Sequence, residues 1–255
     1  MKILLALLKR EVLENSSIWK VPLIMLVIGL LIKASMSFGS LAIEVNVTDV
    51  MDIDASLNSA VDGVVNKAVH SSLWLINGLV TLVMVLVSVF YALSCLYTER
   101  QDQSILFWRS LPISDGMTVA SKLLIALVLI PFLIVFCHLI LSILFLGGQS
   151  VDALKSFIQV SVLSTVQITL WLLIPLVAWC LLCSEVAKKT PFLLAFIAPL
   201  ILFSVDGLFL STGISDLVLD RFYLKNHNSL TLLFTGLGFS VVCVFIATVK
   251  RSQRI

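Results

Sequence analysis

Residues 71–98 read SSLWLINGLVTLVMVLVSVFYALSCLYT, and charge returns only beyond them, at Glu99 and Arg100. So long a stretch without Asp, Glu, Lys or Arg exceeds the roughly 20 apolar residues that a helix needs to cross the hydrocarbon core. Its apolar side chains fall on every helical face, as in LVTLVMVLVSVFYAL at 79–93. A barrel strand would alternate apolar and polar positions over about ten residues instead. The stretch predicts a transmembrane helix and, if repeated, an all-α membrane protein.

It is repeated. Charge is absent from Leu123 to Val151, from Ser156 to Ser184 and from Asn226 to Val249, where only His227 interrupts. With the first stretch these predict spans at about 73–97, 122–146, 157–182 and 229–249. Two further spans are less clean: 19–40 carries Lys20 and Lys33, and 191–210 carries Asp206. The expected fold is all-α and polytopic, with six transmembrane helices in one transmembrane domain over 1–255. The whole chain agrees: 60% of its 255 residues are hydrophobic and 13% charged, with a mean hydropathy of +1.11. A soluble domain carries about 25% charged residues, so a soluble globule and a disordered chain are both excluded. The cysteines Cys95, Cys137, Cys180, Cys183 and Cys243 all lie in apolar runs, where cysteine packs as a small hydrophobe. The short apolar run at 3–8 meets Lys9 and Arg10 without a cleavage pattern, so the N-terminus is expected to be retained.

Lys and Arg set the orientation. The N-terminal segment, the 98–118 and 183–190 loops and the C-terminus hold most of them, including Lys9, Arg10, Arg100, Arg109, Lys122, Lys188, Lys189, Lys250 and Arg251. The opposite side holds Lys67, Lys155, Arg221 and Lys225. The positive-inside rule places both termini in the cytoplasm. The same rule and anionic lipid account for the basic clusters without any nucleic-acid partner. Residues 1–18 read as an interfacial helix, with Leu4, Leu5, Leu8 and Val12 on one side and Arg10 and Glu14 away from it; the alternative is a cytoplasmic extension of the first span. Residues 41–72 read as a long polar outer loop, and the NVT triplet at 46–48 as a chance match to a glycosylation acceptor.

The 98–118 loop, TERQDQSILFWRSLPISDGMT, carries the most information. Glu99, Arg100 and Asp102 precede the apolar cluster Ile105, Leu106, Phe107 and Trp108; Arg109 and Leu111-Pro112 follow. Pro112 ends any helix at or before Leu111. A two-turn helix fits, capped by Asp102 or Ser104. Its aromatics and Arg109 would suit a groove on a soluble partner, where Trp, Phe and Arg supply much interface energy. They would equally suit the headgroup layer, where Trp is also at home.

At this loop the chain resembles the permease subunit of ABC-2-type transporters. The similar stretch is YALSCLYTERQDQSILFWRSLPISDGMTVASKLL, 91–124, with Glu99, Arg100, the S-I-L-F-W-R-S-L-P run at 104–112, Ser114, Ser121 and Lys122 as matching residues. The resemblance implies a bacterial inner-membrane permease with an N-terminal elbow helix, most simply an exporter. It implies a dimer, with itself or a paralogous permease, in which each protomer docks a cytosolic ABC ATPase. It makes 99–112 the coupling helix, with Glu99, Arg100, Ile105, Phe107, Trp108, Arg109 and Leu111 transmitting force. It makes 207–228 a candidate for short re-entrant outer helices. No G-x-x-x-x-G-K-[ST] occurs in the chain, so no phosphate cradle is expected here. No cofactor is expected in this chain, and ATP and Mg would be bound by the partner ATPase. The same loop would also serve a non-transporting sensor or assembly protein. A membrane enzyme would need acidic or His clusters at one depth, and the spans offer only scattered Asp206, Lys33 and His138.

Those residues have two readings each. Asp206 and Lys33 form a possible intramembrane polar site, because a carboxylate in a span is costly and commonly functional. Otherwise the span ends near Ser204, Asp206 caps the next short helix, and Lys33 snorkels to the outer interface. His138 is expected to hydrogen-bond between helices rather than bind metal. Cys180 and Cys183, in C-x-x-C spacing, are expected to pack on one helix face, with no metal site. The pairs Gly207/Ser211 and Gly236/Ser240 permit close helix packing, and weakly suggest a dimer face.

Overall fold

The computed structural model describes residues 2–48, 55–102, 114–147, 151–187, 189–209 and 230–253. Among them every regular element is helical: α1 Lys2–Glu14, α2 Ser17–Thr48, α3 Ala55–Gln101, α4 Asp115–Leu124, α5 Ile130–Leu146, α6 Val151–Ile168, α7 Ile174–Val186, α8 Pro191–Phe209 and α9 Leu230–Gln253. α4 and α5 are one rod joined by a wider π-type turn at Ile125–Leu129; α6 and α7 are joined likewise at Thr169–Leu173. The two turns have one cause. Pro131 and Pro175 each follow a turn by two residues, and a proline inside a helix loses a donor and clashes with the carbonyl four residues back. The extra width relieves this, with Ile130 N–H bonding to Ile125 O and Ile174 N–H to Thr169 O.

Among the described residues five helices are long and apolar enough to cross a membrane: Ser17–Met36, Val69–Gln101, Asp115–Leu146, Val151–Val186 and Leu233–Gln253. The 33 residues of Val69–Gln101 extend roughly 50 Å at 1.5 Å per residue, well beyond the hydrocarbon core. The helices therefore continue past the apolar runs into polar surroundings. The 191–210 span expected as the sixth is the apolar helix α8, whose Pro191–Asp206 part is shorter than those five. The expected loop at 41–72 is largely helix: α2 runs on to Thr48 and α3 begins at Ala55. Counting charges finds where a chain leaves the apolar layer, not where the helix stops. Residues 103–113, and the segment 210–229 that includes most of the expected re-entrant stretch, lie outside the described residues.

The chain divides into two packing units. The first comprises residues 1–18, 85–132 and 164–255, and the second 19–84 and 133–163. In the second, α3 buries Leu73, Ile76, Asn77, Val80 and Met84 at helical spacing. There Gly29 lets α2 approach α5: a Cβ at that position would lie 2.4 Å from Leu141 Cδ2. The outward faces stay apolar, with Leu30, Leu31, Leu75, Leu82 and Phe136 among the exposed side chains. In water that surface would drive aggregation; in lipid it is the expected exterior.

In the first unit α9 packs on α7 through small residues. Gly236, Ser240, Cys243 and Ala247 are buried at successive helical steps, against an α7 face that buries Ala178, Cys180, Leu181 and Ser184. The Gly236/Ser240 pair therefore serves packing within the protomer, not the dimer face suggested by its spacing. Small side chains bring two backbones close, which is what dispersion requires when lipid supplies no hydrophobic drive. All five cysteines are buried and unpaired, as their apolar surroundings imply.

Candidate functional site

The first unit gathers charge around the two ends of the 103–113 segment. On α3 the buried positions Ser88, Tyr91, Ala92, Cys95 and Leu96 are followed by Glu99. Glu99 lies four residues beyond Cys95 and shares its face, so the carboxylate enters the bundle rather than the lipid. On α4 the buried face is Thr118, Val119, Ser121 and Lys122, so Lys122 enters in the same way. Both are nearly inaccessible, at 5% and 1% of their surface.

Lys122 is a hub. Its Nζ lies 2.6 Å from Glu11 Oε1 on α1, 3.0 Å from Glu99 Oε1 and 3.1 Å from Cys95 O. The three N–H donors of an ammonium thus face three acceptors. Arg251, near the end of α9 and 1% exposed, is the second hub. Its Nη2 lies 3.1 Å from Glu99 Oε2 and its Nε 3.2 Å from Asp115 Oδ1. Tyr91 donates to Glu11 Oε2 at 3.2 Å. Arg10 Nη2 approaches Glu99 Oε1 at 4.0 Å while its Nε bonds Glu14 at 2.6 Å. The charges of Glu11, Glu99 and Asp115 are thus met by Lys122, Arg251 and Arg10. Such pairing is what a buried charge requires.

Arg100 points elsewhere. It donates to Ser184 O and to Ala187 O, at 3.0 Å for the latter, and its Nε lies 3.9 Å from Glu185 Oε2. A guanidinium there satisfies carbonyls that the end of α7 leaves open, and it sits at the negative end of that helix. Tyr97 adds a hydroxyl donated to Lys189 O, and its backbone N–H bonds Ser184 Oγ at 3.0 Å. Beyond the segment, Ser114 caps α4 by accepting from Met117 N at 3.3 Å. Both flanks of 103–113 are therefore fixed, by different partners.

Of the expected coupling residues, Glu99 and Arg100 are thus placed, whereas Ile105, Phe107, Trp108, Arg109 and Leu111 lie outside the described residues. α1 is a separate helix broken from α2 at Asn15 and Ser16, but among its described side chains the buried ones are Leu7 and Glu11. Of the expected stripe Leu4, Leu5, Leu8 and Val12, the last two are half-buried, and the side chains of Leu4 and Leu5 lie outside the described ones. Sequence reading missed Glu11, Tyr91 and Asp115. It counted Lys122 and Arg251 as orientation signals, though Lys122 was also a matched residue of the resemblance. The available signal was the spacing: Glu99 falls on the face of Tyr91 and Cys95, and that face is known to be buried only once the helices are packed.

Asp206 is buried inside α8, which continues to Phe209. The reading in which the helix ends near Ser204 with Asp206 as a cap is corrected: apolar Gly207-Leu208-Phe209 carries the helix on. Asp206 belongs to the first unit and Lys33 to the second, where Lys33 Nζ lies 5.6 Å from the Phe145 ring centre. His138, also in the second unit, bonds between helices as expected. Its Nε2 lies 3.1 Å from Thr81 Oγ1 and 3.2 Å from Asn77 O. Thr81 spends its own hydroxyl proton on Asn77 O at 2.9 Å. Nε2 therefore carries the hydrogen and donates to both.

These features define a multi-pass helical membrane protein in which a buried charge cluster brackets one segment between spans. Residues 71–255 match the family model described as ABC-2 family transporter protein, and the chain belongs to that family. The family is one of ABC-transporter membrane subunits, which are in general not catalytic themselves and typically partner an ABC ATPase. The matched region holds every member of the charge cluster except those on α1. No curated protein and no solved structure matches the chain.

Proposed function

We propose that the chain is the permease subunit of an ATP-driven ABC-2-type exporter in a bacterial inner membrane. Both termini face the cytoplasm, α1 is an interfacial elbow, and α8 is the sixth span. Two permeases, identical or paralogous, flank the substrate path in a lipid bilayer, and each docks one cytosolic ATPase that binds the ATP and Mg. The 99–112 segment is the coupling helix, with Ile105, Phe107, Trp108, Arg109 and Leu111 meeting the ATPase, and Glu99 and Arg100 passing the movement on.

The observation that supports this best is the double anchoring of 103–113. A loop that only covered the headgroups would not need four buried charged residues from four helices, Glu11, Glu99, Lys122 and Arg251, at its ends. A lever that transmits force does, because a soft attachment would absorb the movement. The test is affinity purification from native membranes in mild detergent, comparing wild type with a Trp108→Ala/Arg109→Ala variant. A P-loop ATPase should co-purify with the wild type and be lost or depleted from the variant. No ATPase with the wild type, under conditions that keep other membrane complexes intact, would favour the sensor reading.

A further inference from the structure

We infer that α9, the C-terminal helix, is a third arm of the coupling apparatus, joined to it by Arg251. This rests on the coupling role proposed for 99–112. The segment's two flanks belong to different helices, Glu99 to α3 and Asp115 to α4. One guanidinium reaches both, Nη2 at 3.1 Å from Glu99 and Nε at 3.2 Å from Asp115. A planar fork aims a separate donor at each carboxylate in a fixed relation; a lysine at this position, a point charge on a flexible stem, would have no such fixed directions. Arg251 is 1% exposed, and of its two partners Glu99 is buried while Asp115 keeps 28% of its side chain exposed.

Other side-chain ties hold the same region to other helices. Lys122 connects α4 to Glu99 and to Glu11 of α1, and Arg100 connects α3 to the end of α7. Arg251 is the tie that reaches α9, and it fastens both flanks to that helix as Lys122 and Glu11 fasten them to α1. Movement of 103–113 is thereby imposed on the end of α9. The small-residue face of α9 then passes it to α7, against which α9 is closely packed. Arg251 is a positioning residue in this scheme and makes no contact with ATP or substrate.

The test uses spin labels on the full chain in lipid nanodiscs, diluted with unlabelled chain so that only distances within one chain are read. Gln101→Cys and Gly116→Cys mark the two flanks, and Ser252→Cys marks α9. All three positions are exposed, and Gly116 has open space for a side chain. The native cysteines are buried and out of reach of the label. Wild type should give narrow distributions for 101–252 and for 116–252. Arg251→Gln should broaden both and shift them to longer distance. Arg251→Lys, which keeps the charge but not the fork, should keep one distance narrow and broaden the other. That split separates a clamp from a general loss of packing, which would broaden both. Distributions unchanged in Arg251→Gln would overturn the clamp, as would a lysine variant identical to wild type. Absence of a co-purifying ATPase from wild-type membranes would overturn the coupling reading instead, and leaves the label result to decide the clamp alone.

Discussion

Replacing Lys122 by Met removes a cation from the most enclosed part of the cluster while keeping the length and apolar stem of the side chain. Two carboxylates lose a partner, but unequally. Glu99 keeps Arg251 at 3.1 Å and Arg10 at 4.0 Å. Glu11, 2% exposed, keeps the Tyr91 hydroxyl at 3.2 Å. The damage should therefore concentrate on Glu11. Breaking a buried pair from one side costs about 3–5 kcal/mol, since the remaining charge has neither water nor partner. At about 2–4 °C per kcal/mol for chains of this size class, the unfolding midpoint should fall by roughly 6–20 °C. Glu11→Gln in the same background should recover part of that loss, through a coupling of about 1–3 kcal/mol between contacting residues. The assay is thermal unfolding of the purified chain in one detergent, followed by intrinsic tryptophan fluorescence, for wild type, both single variants and the double. A fall of less than about 3 °C for Lys122→Met would refute the reasoning. So would strict additivity of the two changes, because the pair would then not be sharing its charge.

Three other outcomes follow from separate parts of the structure. Arg100→Ala should leave the carbonyls of Ser184 and Ala187 and the buried Glu185 carboxylate without their cation, costing about 1–3 kcal/mol; hydrogen exchange should rise first at 184–187. His138→Leu removes the Nε2–H that bonds Thr81 and Asn77, and should cost only about 1 kcal/mol, because hydrogen bonds between membrane helices average less than that; a loss comparable to Lys122→Met would mean that the histidine does more than join helices. Ser240→Leu should wedge α9 from α7 and destabilise by about 1–3 kcal/mol, whereas Val241→Leu, on the exposed face, should leave the melting midpoint unchanged.

The spans were legible because charge is expensive in hydrocarbon, so the gaps between charges mark the layer. The burial of all five cysteines and the inter-helix bond of His138 followed from the same logic. The helix limits did not follow: residues 55–68, ASLNSAVDGVVNKA, are polar enough to read as loop but contain no proline to end a helix. The buried faces did not follow either. In water the apolar face of a helix is the buried one, but 79–93 is apolar all round, so periodicity is silent about which side meets protein. Lys122 and Arg251 then looked like ordinary cytoplasmic cations, and Glu11 like one more polar residue on an interfacial helix. Their partners are 111 residues apart for Lys122 and Glu11, and 152 apart for Arg251 and Glu99, beyond any local pattern.

That silence gives a physical reason for the cluster itself. A uniformly apolar helix in lipid gains little by choosing one rotation over another, since lipid tails and protein side chains are similar in polarity. Small-residue faces such as Gly236, Ser240, Cys243 and Ala247 select a rotation for α9. On α3 the small residues Ser88, Ala92 and Cys95 make a shorter stripe, flanked by the buried Tyr91 and Leu96, that leads directly to Glu99. One rotation of α3 brings Glu99 to Lys122 and Arg251, and turning it by a single residue step of about 100° would take the carboxylate away from both cations. The cost of a misplaced charge thus selects the orientation that apolar packing leaves open. The charges stand near helix ends, at 99 in a helix ending at Gln101, at 115 where α4 starts and at 251 in a helix ending at Gln253. There the energy of burying them is lower than at mid-membrane. The same placement puts them beside the segment whose position they fix, so one set of ion pairs serves both the rotation of the spans and the attachment of 103–113.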